Sequence, residues 1–252
     1  MQVDLVLAPC EAAQYDLTHR TAVVIDVFRF TTAALSALES GIAGLYPVRE
    51  PQEAFHMKEK DAKLLLAGER NALKIPGFDF GNSPLEHFGR DGHGQRLVWC
   101  TTNGTQAVQA VAHAHHVVLA SLRNGLAVAQ YLAWQDRDIL FVPAGTNGKF
   151  SLEDTWCAGF IISHLSRISS RVQLGDGARL AEILACKMEL NDLAKSEHGL
   201  ILAGLGMNED IAYCLECNMS SDVIVWDPIS GWAKLVGNGY SSKPEIMRGS
   251  GT

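Results

Sequence analysis

The chain has 252 residues, 47% of them apolar, and a formal net charge of −7, which is enough apolar material for one large core or two small ones. Scattered Lys and Arg under a net negative charge weigh against nucleic acid or an anionic membrane as the main partner, so any bound anion must be recognised locally. Six cysteines without framework spacing, no leader of charged then apolar residues, and no apolar run near the roughly 20 residues that span a bilayer point to a reduced, cytoplasmic protein.

Residues 3–7 alternate as a strand expected at an edge, and 22–28 read as a buried strand carrying one carboxylate, Asp26. A helix follows from 31 to about 40, its apolar face made by Ala34, Leu35 and Leu38, and Gly41 stops it. Residues 45–48 form a short strand, 51–60 a polar amphipathic helix and 63–67 another strand. From 68 to 84 the chain runs GERNALKIPGFDFGNSP, too rich in Gly, Pro and Asn for a regular element, and reads as a long loop of the functional kind.

Residues 97–105, LVWCTTNGT, form the centre of the pattern. An apolar strand breaks into a polar turn, and the apolar spacing becomes helical at Ala107, Val108, Ala110 and Val111. Such a junction offers an anion unpaired amide N–H groups and the positive end of a helix dipole, with the hydroxyls of Thr101, Thr102 and Thr105 beside them. Capping and turn formation alone account for those residues equally well. Beyond it lie a strand at 116–122, a helix at 124–135, a strand at 138–143, a glycine turn at 144–148 and a helix from 151 to about 167. Ser151 and Asp154 fit a capping box there only loosely. Residues 176–216 read as all helical with a break at 205–208, 223–226 as a last strand, and 241–252 as a frayed tail.

Strands alternating with helices imply an α/β fold: a mainly parallel sheet flanked by helices on both faces, a three-layer α/β/α arrangement with a helical C-terminal portion. One domain over residues 1–240 is expected, two fused lobes of about 1–95 and 96–240 being the alternative. Ligands of such sheets sit beyond the carboxyl ends of the strands, where Asp26, Arg29, Glu69, Arg70, Thr101 to Thr105 (with Asn103 and Gly104 between), Asn124, Gly145, Glu153 and Asp154 converge. Several carboxylates, two arginines and a set of hydroxyl and amide donors suit a phosphate held beside a hard divalent cation. There is no nucleoside-triphosphate loop and no dinucleotide glycine motif. Cys100 has Gln106, not the arginine that a cysteine phosphatase needs, closing its loop.

Asp26-Val27-Phe28-Arg29 with Thr31-Thr32, Gly68-Glu69-Arg70 with Gly77-Phe78-Asp79 and Gly81-Asn82-Ser83-Pro84, Thr101 to Thr105, and Glu153-Asp154 with Ala158-Gly159 together resemble the 2-phosphosulfolactate phosphatase (ComB) family in order and spacing. The resemblance implies an Mg²⁺-dependent hydrolase of the coenzyme M route that converts 2-phospho-3-sulfolactate to 3-sulfolactate and phosphate. On this reading Asp26, Glu69, Glu153 and Asp154 are the candidate metal ligands or water holders. Asp26, Arg29, Glu69, Arg70 and Asp154 are the candidate catalytic groups. Thr31, Thr32, Asn82, Ser83, Thr101, Thr102, Asn103, Gly104, Thr105 and Asn124 are the candidate phosphate or substrate contacts. The partner is a small anionic phosphoester, with no nucleic acid and no membrane, and a homo-oligomer is left open. A non-catalytic module for a small phosphorylated metabolite, a phosphatase for a different small phosphoester, and a phosphotransferase or lyase stay open as alternatives.

Overall fold

The computed structural model describes residues 1–236; the tail expected at 241–252 lies outside them. One eleven-stranded sheet runs in the order β5-β4-β6-β3-β11-β10-β7-β2-β8-β1-β9. The strands are β1 (Gln2–Leu5), β2 (Thr21–Ile25), β3 (Gly44–Val48), β4 (Leu65–Arg70), β5 (Leu73–Lys74), β6 (Arg96–Cys100), β7 (His116–Ala120), β8 (Ile139–Pro143), β9 (Gln173–Leu174), β10 (Val223–Trp226) and β11 (Ala233–Val236). The helices are α1 (Phe30–Glu39), α2 (Pro51–Lys60), α3 (Gly104–Ala110), α4 (Gly125–Gln135), α5 (Leu152–Ile168), α6 (Asp176–Lys187), α7 (Glu197–Gly204) and α8 (Asn208–Cys214). The expected α/β class and helical C-terminal portion are found.

The sheet has two parallel halves. In one, β2 pairs with β7 and β8, and β1 with β8 and β9; in the other, β6 lies between β3 and β4. Three antiparallel steps, β7–β10, β10–β11 and β11–β3, join them, so the halves run in opposite directions along the sheet. On a flat sheet their carboxyl ends would lie at opposite edges. They meet across α1 and α3, whose apolar side chains share one buried cluster with residues of both halves, among them Val24, Phe30, Leu35, Leu97, Trp99, Val108 and Leu119. The Phe30 and Trp99 rings meet edge to face at 5.8 Å. The outer faces are covered separately, by α4, α5 and α6 on the first half and by α2 on the second.

Local chemistry explains most boundaries. Pro51 opens α2 behind a capping box of Glu50 and Glu53, and Lys58 and Lys60 close it. Ser151 caps α5 by accepting the Asp154 N–H. Four expectations are corrected. The loop expected at 68–84 begins as the end of β4 and turns into a hairpin with β5 through Asn71 and Ala72, both at positive φ; Asn-Ala is a poor sequence signature for that turn, where Asn-Gly is usual. The strand at 3–7 is not at an edge, because the two-residue β9 covers it. Between 176 and 216 the helix breaks at 188–196 as well as near 205–207. A further strand, β11, follows β10. Among the described residues no helix is long and apolar enough to cross a membrane.

Candidate active site

Asp26 is the first residue past the fully buried β2 and is itself buried. Its turn is tied back on itself: the Asp26 N–H donates to Thr31 Oγ1 (3.0 Å), Thr31 Oγ1 donates to the Asp26 carbonyl (2.8 Å), and Thr32 Oγ1 donates to the Val27 carbonyl (3.0 Å). Thr31 and Thr32, expected as phosphate contacts, spend their hydroxyls on shaping this turn. Asp26 Oδ1 accepts the Phe30 N–H at 3.3 Å, and Oδ2 accepts nothing among the described residues. A Cβ on Gly104 would stand 2.5 Å from Asp26 Oδ2 and 2.4 Å from Phe30 Cδ1, so only glycine lets α3 start against this carboxylate.

Two of the other carboxylates are fully engaged. Asp154 accepts the Val27 N–H on Oδ1 (2.8 Å) and the Gly145 N–H on Oδ2 (3.2 Å), clamping the ends of β2 and β8 together. Glu69 accepts the Thr102 N–H on Oε1 (2.7 Å) and the Ala72 N–H on Oε2 (2.8 Å). The left-handed Ala72, strained for an L-residue, is thus held by Glu69 on its N–H and by Arg29 on its carbonyl (2.8 Å). Glu153 differs: it is 2% exposed, yet among the described residues its carboxylate has no hydrogen bond and no ion pair. Among the described residues no three His, Cys, Asp or Glu side chains are arranged to hold a metal ion, so the four carboxylates form no ready-made cage.

Glu69 stands in the wall between two clefts. Thr102 and Asn103 line the first, of about 460 Å³, with Arg49, Gln106, Asn147 and Gly148. Thr101 and Thr105 brace its floor by exchanging hydrogen bonds between hydroxyls and backbone, and Asn103 Oδ1 accepts the Asn147 N–H (2.9 Å). Thr102 Oγ1 is buried with no partner. Arg29, Asn82 and Ser83 line the second cleft, of about 550 Å³, with Ala72 and Asp210. There Arg29 donates to Asp210 Oδ2 (2.5 Å) and Ser83 to Asp210 Oδ1 (2.5 Å), while Asn82 Oδ1 accepts the Trp99 Nε1–H (3.1 Å). Arg70 reaches the carbonyls of Glu69 and Arg49 and the Cys100 sulfur. Asn124 accepts the Ser121 N–H and donates to the Asp222 carbonyl, so its amide is spent on the turn after β7. The single ligand pocket expected from the strand ends is therefore two clefts, with Glu69 bonded to a lining residue of each, Thr102 and Ala72.

Three residues of this region escaped the sequence reading. Arg49 directly follows β3, and the rule that gathered the other strand ends would have found it. Asp210 and His198 come from α8 and α7 in the C-terminal portion, where no local pattern marks them. Burial holds the His198 imidazole below its usual range, against the pull of Glu153 and Glu69.

Electrostatics single out Asp26. Burial first, then the neighbouring Glu69, push its carboxyl from 3.8 up to about 7, with Glu153 adding to the effect and the Phe30 N–H and Arg29 opposing it. Burial, with Glu153 and Asp26 nearby, also raises Asp154 well above the carboxylate range. Burial lifts Cys100 to about 11 against the pull of Arg70, so at neutral pH it is a thiol and no nucleophile. A carboxyl whose pKa is higher folded than unfolded stabilises the fold fully below the unfolded value and loses that contribution as pH rises through the folded one. In EDTA, calorimetric Tm should therefore fall more steeply from about pH 4 to 7 in wild type than in Asp26→Asn. Parallel profiles would show that Asp26 ionises normally.

A family model described as 2-phosphosulpholactate phosphatase matches residues 6–228. Three similar chains carry the name "Probable 2-phosphosulfolactate phosphatase". The chain is 38% identical over 249 residues to that of Clostridium perfringens (strain SM101), covering 96% of this chain and 100% of the relative. It is 42% identical over 215 residues to that of Thermotoga petrophila, covering 84% and 89%, and 37% identical over 220 residues to that of Carboxydothermus hydrogenoformans, covering 87% and 90%.

Proposed function

The chain belongs to the 2-phosphosulfolactate phosphatase family, and from that premise we propose that it hydrolyses 2-phospho-3-sulfolactate to 3-sulfolactate and phosphate, with Mg²⁺, in a reaction of the coenzyme M type. The observation that carries this reading is the pair of buried carboxylates with oxygens left free, Asp26 Oδ2 and Glu153. Carboxylates crowded together in a mostly buried site repel one another at a cost, and a purely anion-binding site would gain nothing from them. A hard cation removes the cost, and Mg²⁺ commonly takes one or two carboxylates and fills its other positions with water and substrate oxygen.

Asp26 and Glu153 are the residues that would hold the ion, which when bound supplies positive charge to the phosphoryl group and acidifies water. Asp154 and Glu69 are positioning residues: each spends both oxygens on amides of the loops that frame Asp26. Thr102 and Asn103 line the first cleft at the start of α3, where a phosphoryl oxygen would sit. Arg70 adds positive charge beside Thr102 and Cys100. Attack by water in line with the leaving oxygen then needs no covalent intermediate on the protein.

Phosphate release from racemic 2-phospho-3-sulfolactate, with Mg²⁺ and with EDTA, beside phospholactate and phosphoglycolate, tests the reading. EDTA is expected to lower release by about 100-fold or more, and the sulfonated ester to be preferred. Release from the simpler esters alone would keep a phosphatase and remove the coenzyme M role. Binding without release from any ester would leave a metabolite-binding module.

A further inference from the structure

We infer that Arg49 is the specificity residue of the first cleft, the group that takes the second acid, sulfonate or carboxylate, of a phosphoester whose phosphate lies against Thr102. The inference rests on the phosphatase reading above and adds to it the residue that reads the second acid of the substrate.

Three arginines sit at or just past strand ends of this region, and two are committed. Arg29 is buried in its pair with Asp210 and its bond to the Ala72 carbonyl. Arg70 is bound to two carbonyls and a sulfur and lies 3.8 Å from Glu50. Arg49 is exposed, and its guanidinium has no hydrogen bond or ion pair among the described residues. Its main chain is nonetheless held firmly. Val48 pairs with Cys100 in the ladder, which sets Arg49 beside the Thr101–Thr102 turn, and the Arg49 carbonyl accepts from Arg70 (2.7 Å) and Cys100 (3.3 Å).

Arg49 lines the same cleft as Thr102, with Asn103, Gln106 and Asn147 as further polar groups. At about 460 Å³ the cleft suits a small ligand. An unpaired arginine whose backbone is fixed and whose side chain is free matches a planar carboxylate or a trigonal face of a sulfonate with two parallel N–H groups. Glu69 holds the Thr102 N–H, and Asp26 lies against Gly104. The reacting phosphate thus belongs with the Thr102–Gly104 turn, and the acid that identifies the molecule with Arg49.

The test compares wild type, Arg49→Met and Arg49→Lys on 2-phospho-3-sulfolactate and on glycerol 2-phosphate, which has no second acid. In Arg49→Met the kcat/KM preference for the sulfonated ester should fall about 10- to 100-fold, the scale of one lost charge-assisted interaction. Most of the fall should appear in KM, with part of it recovered in Arg49→Lys. An equal loss on both esters, or an unchanged preference, would overturn the inference while leaving the phosphatase standing. Should wild type release phosphate from no ester, the phosphatase reading falls by itself. Calorimetric binding of 3-sulfolactate then decides the role of Arg49: binding weakened in Arg49→Met upholds it, and equal or absent binding overturns it.

Discussion

Asp26→Asn is expected to lower turnover about 1,000-fold, within the range for loss of a positioned carboxylate at a reacting centre, while leaving the fold at least as stable. Both halves follow from the same surroundings. The amide keeps the oxygen that accepts the Phe30 N–H and removes a charge that burial and Glu69 oppose. Without metal at pH 8 the variant should therefore melt no lower than wild type, and added Mg²⁺ should raise its Tm less. Activity within a few-fold of wild type would remove Asp26 from the centre of the reaction. A large drop in Tm would show that the carboxylate is structural.

Asp210→Ala is expected to cost about 3–5 kcal/mol, the usual result of stranding one member of a buried pair. That corresponds to roughly 10 °C or more in Tm for a chain of this size. Asp210 and Arg29 have side chains 7% and 4% exposed, so the guanidinium left behind is a largely buried charge without its counter-ion, and the Ser83 hydroxyl loses its acceptor as well. Arg179 and Glu182 on α6 form a mostly exposed pair, for which about 0.5 kcal/mol is typical. Because Arg29 also holds the Ala72 carbonyl beside Glu69, Asp210→Ala should reduce activity in whatever fraction stays folded. Chemical denaturation measures the stability. A loss under 1 kcal/mol would mean that Arg29 finds another partner and that α8 does not secure the site.

The alternation of strand and helix, the apolar runs at β2 and β6 and the Thr-rich start of α3 were legible because each is local: periodicity, cap and turn chemistry act over a few residues. The same holds for Asp26, a lone carboxylate at the end of an apolar strand. The β4–β5 hairpin was not legible. Its Asn71-Ala72 turn adopts a conformation that Ala disfavours and that only Glu69 and Arg29, distant in sequence or fixed by the fold, keep in place. The roles of single residues shifted for a similar reason. Thr31, Thr32 and Asn124 have the right chemistry for binding anions, but backbone groups that the fold brings to them use it first.

By itself the sequence determined the α/β class and the family, and it singled out Asp26, Glu69, Thr101 to Thr105, Glu153 and Asp154 as the candidate site. The class rests on hydrophobic periodicity, and the family on the resemblance carried by the ordered blocks around Asp26, Glu69, Thr101 to Thr105 and Glu153-Asp154. Only the tertiary structure decided that two halves of opposite direction meet across α1 and α3, with Gly104 against Asp26. It also decided that Asp210 of α8 neutralises Arg29, that Glu69 divides two clefts, and that Arg49 is the guanidinium left free in the first. Each of these depends on the packing of segments tens of residues apart, where a partner's position is set by the shape of the whole core and leaves no mark on the local sequence.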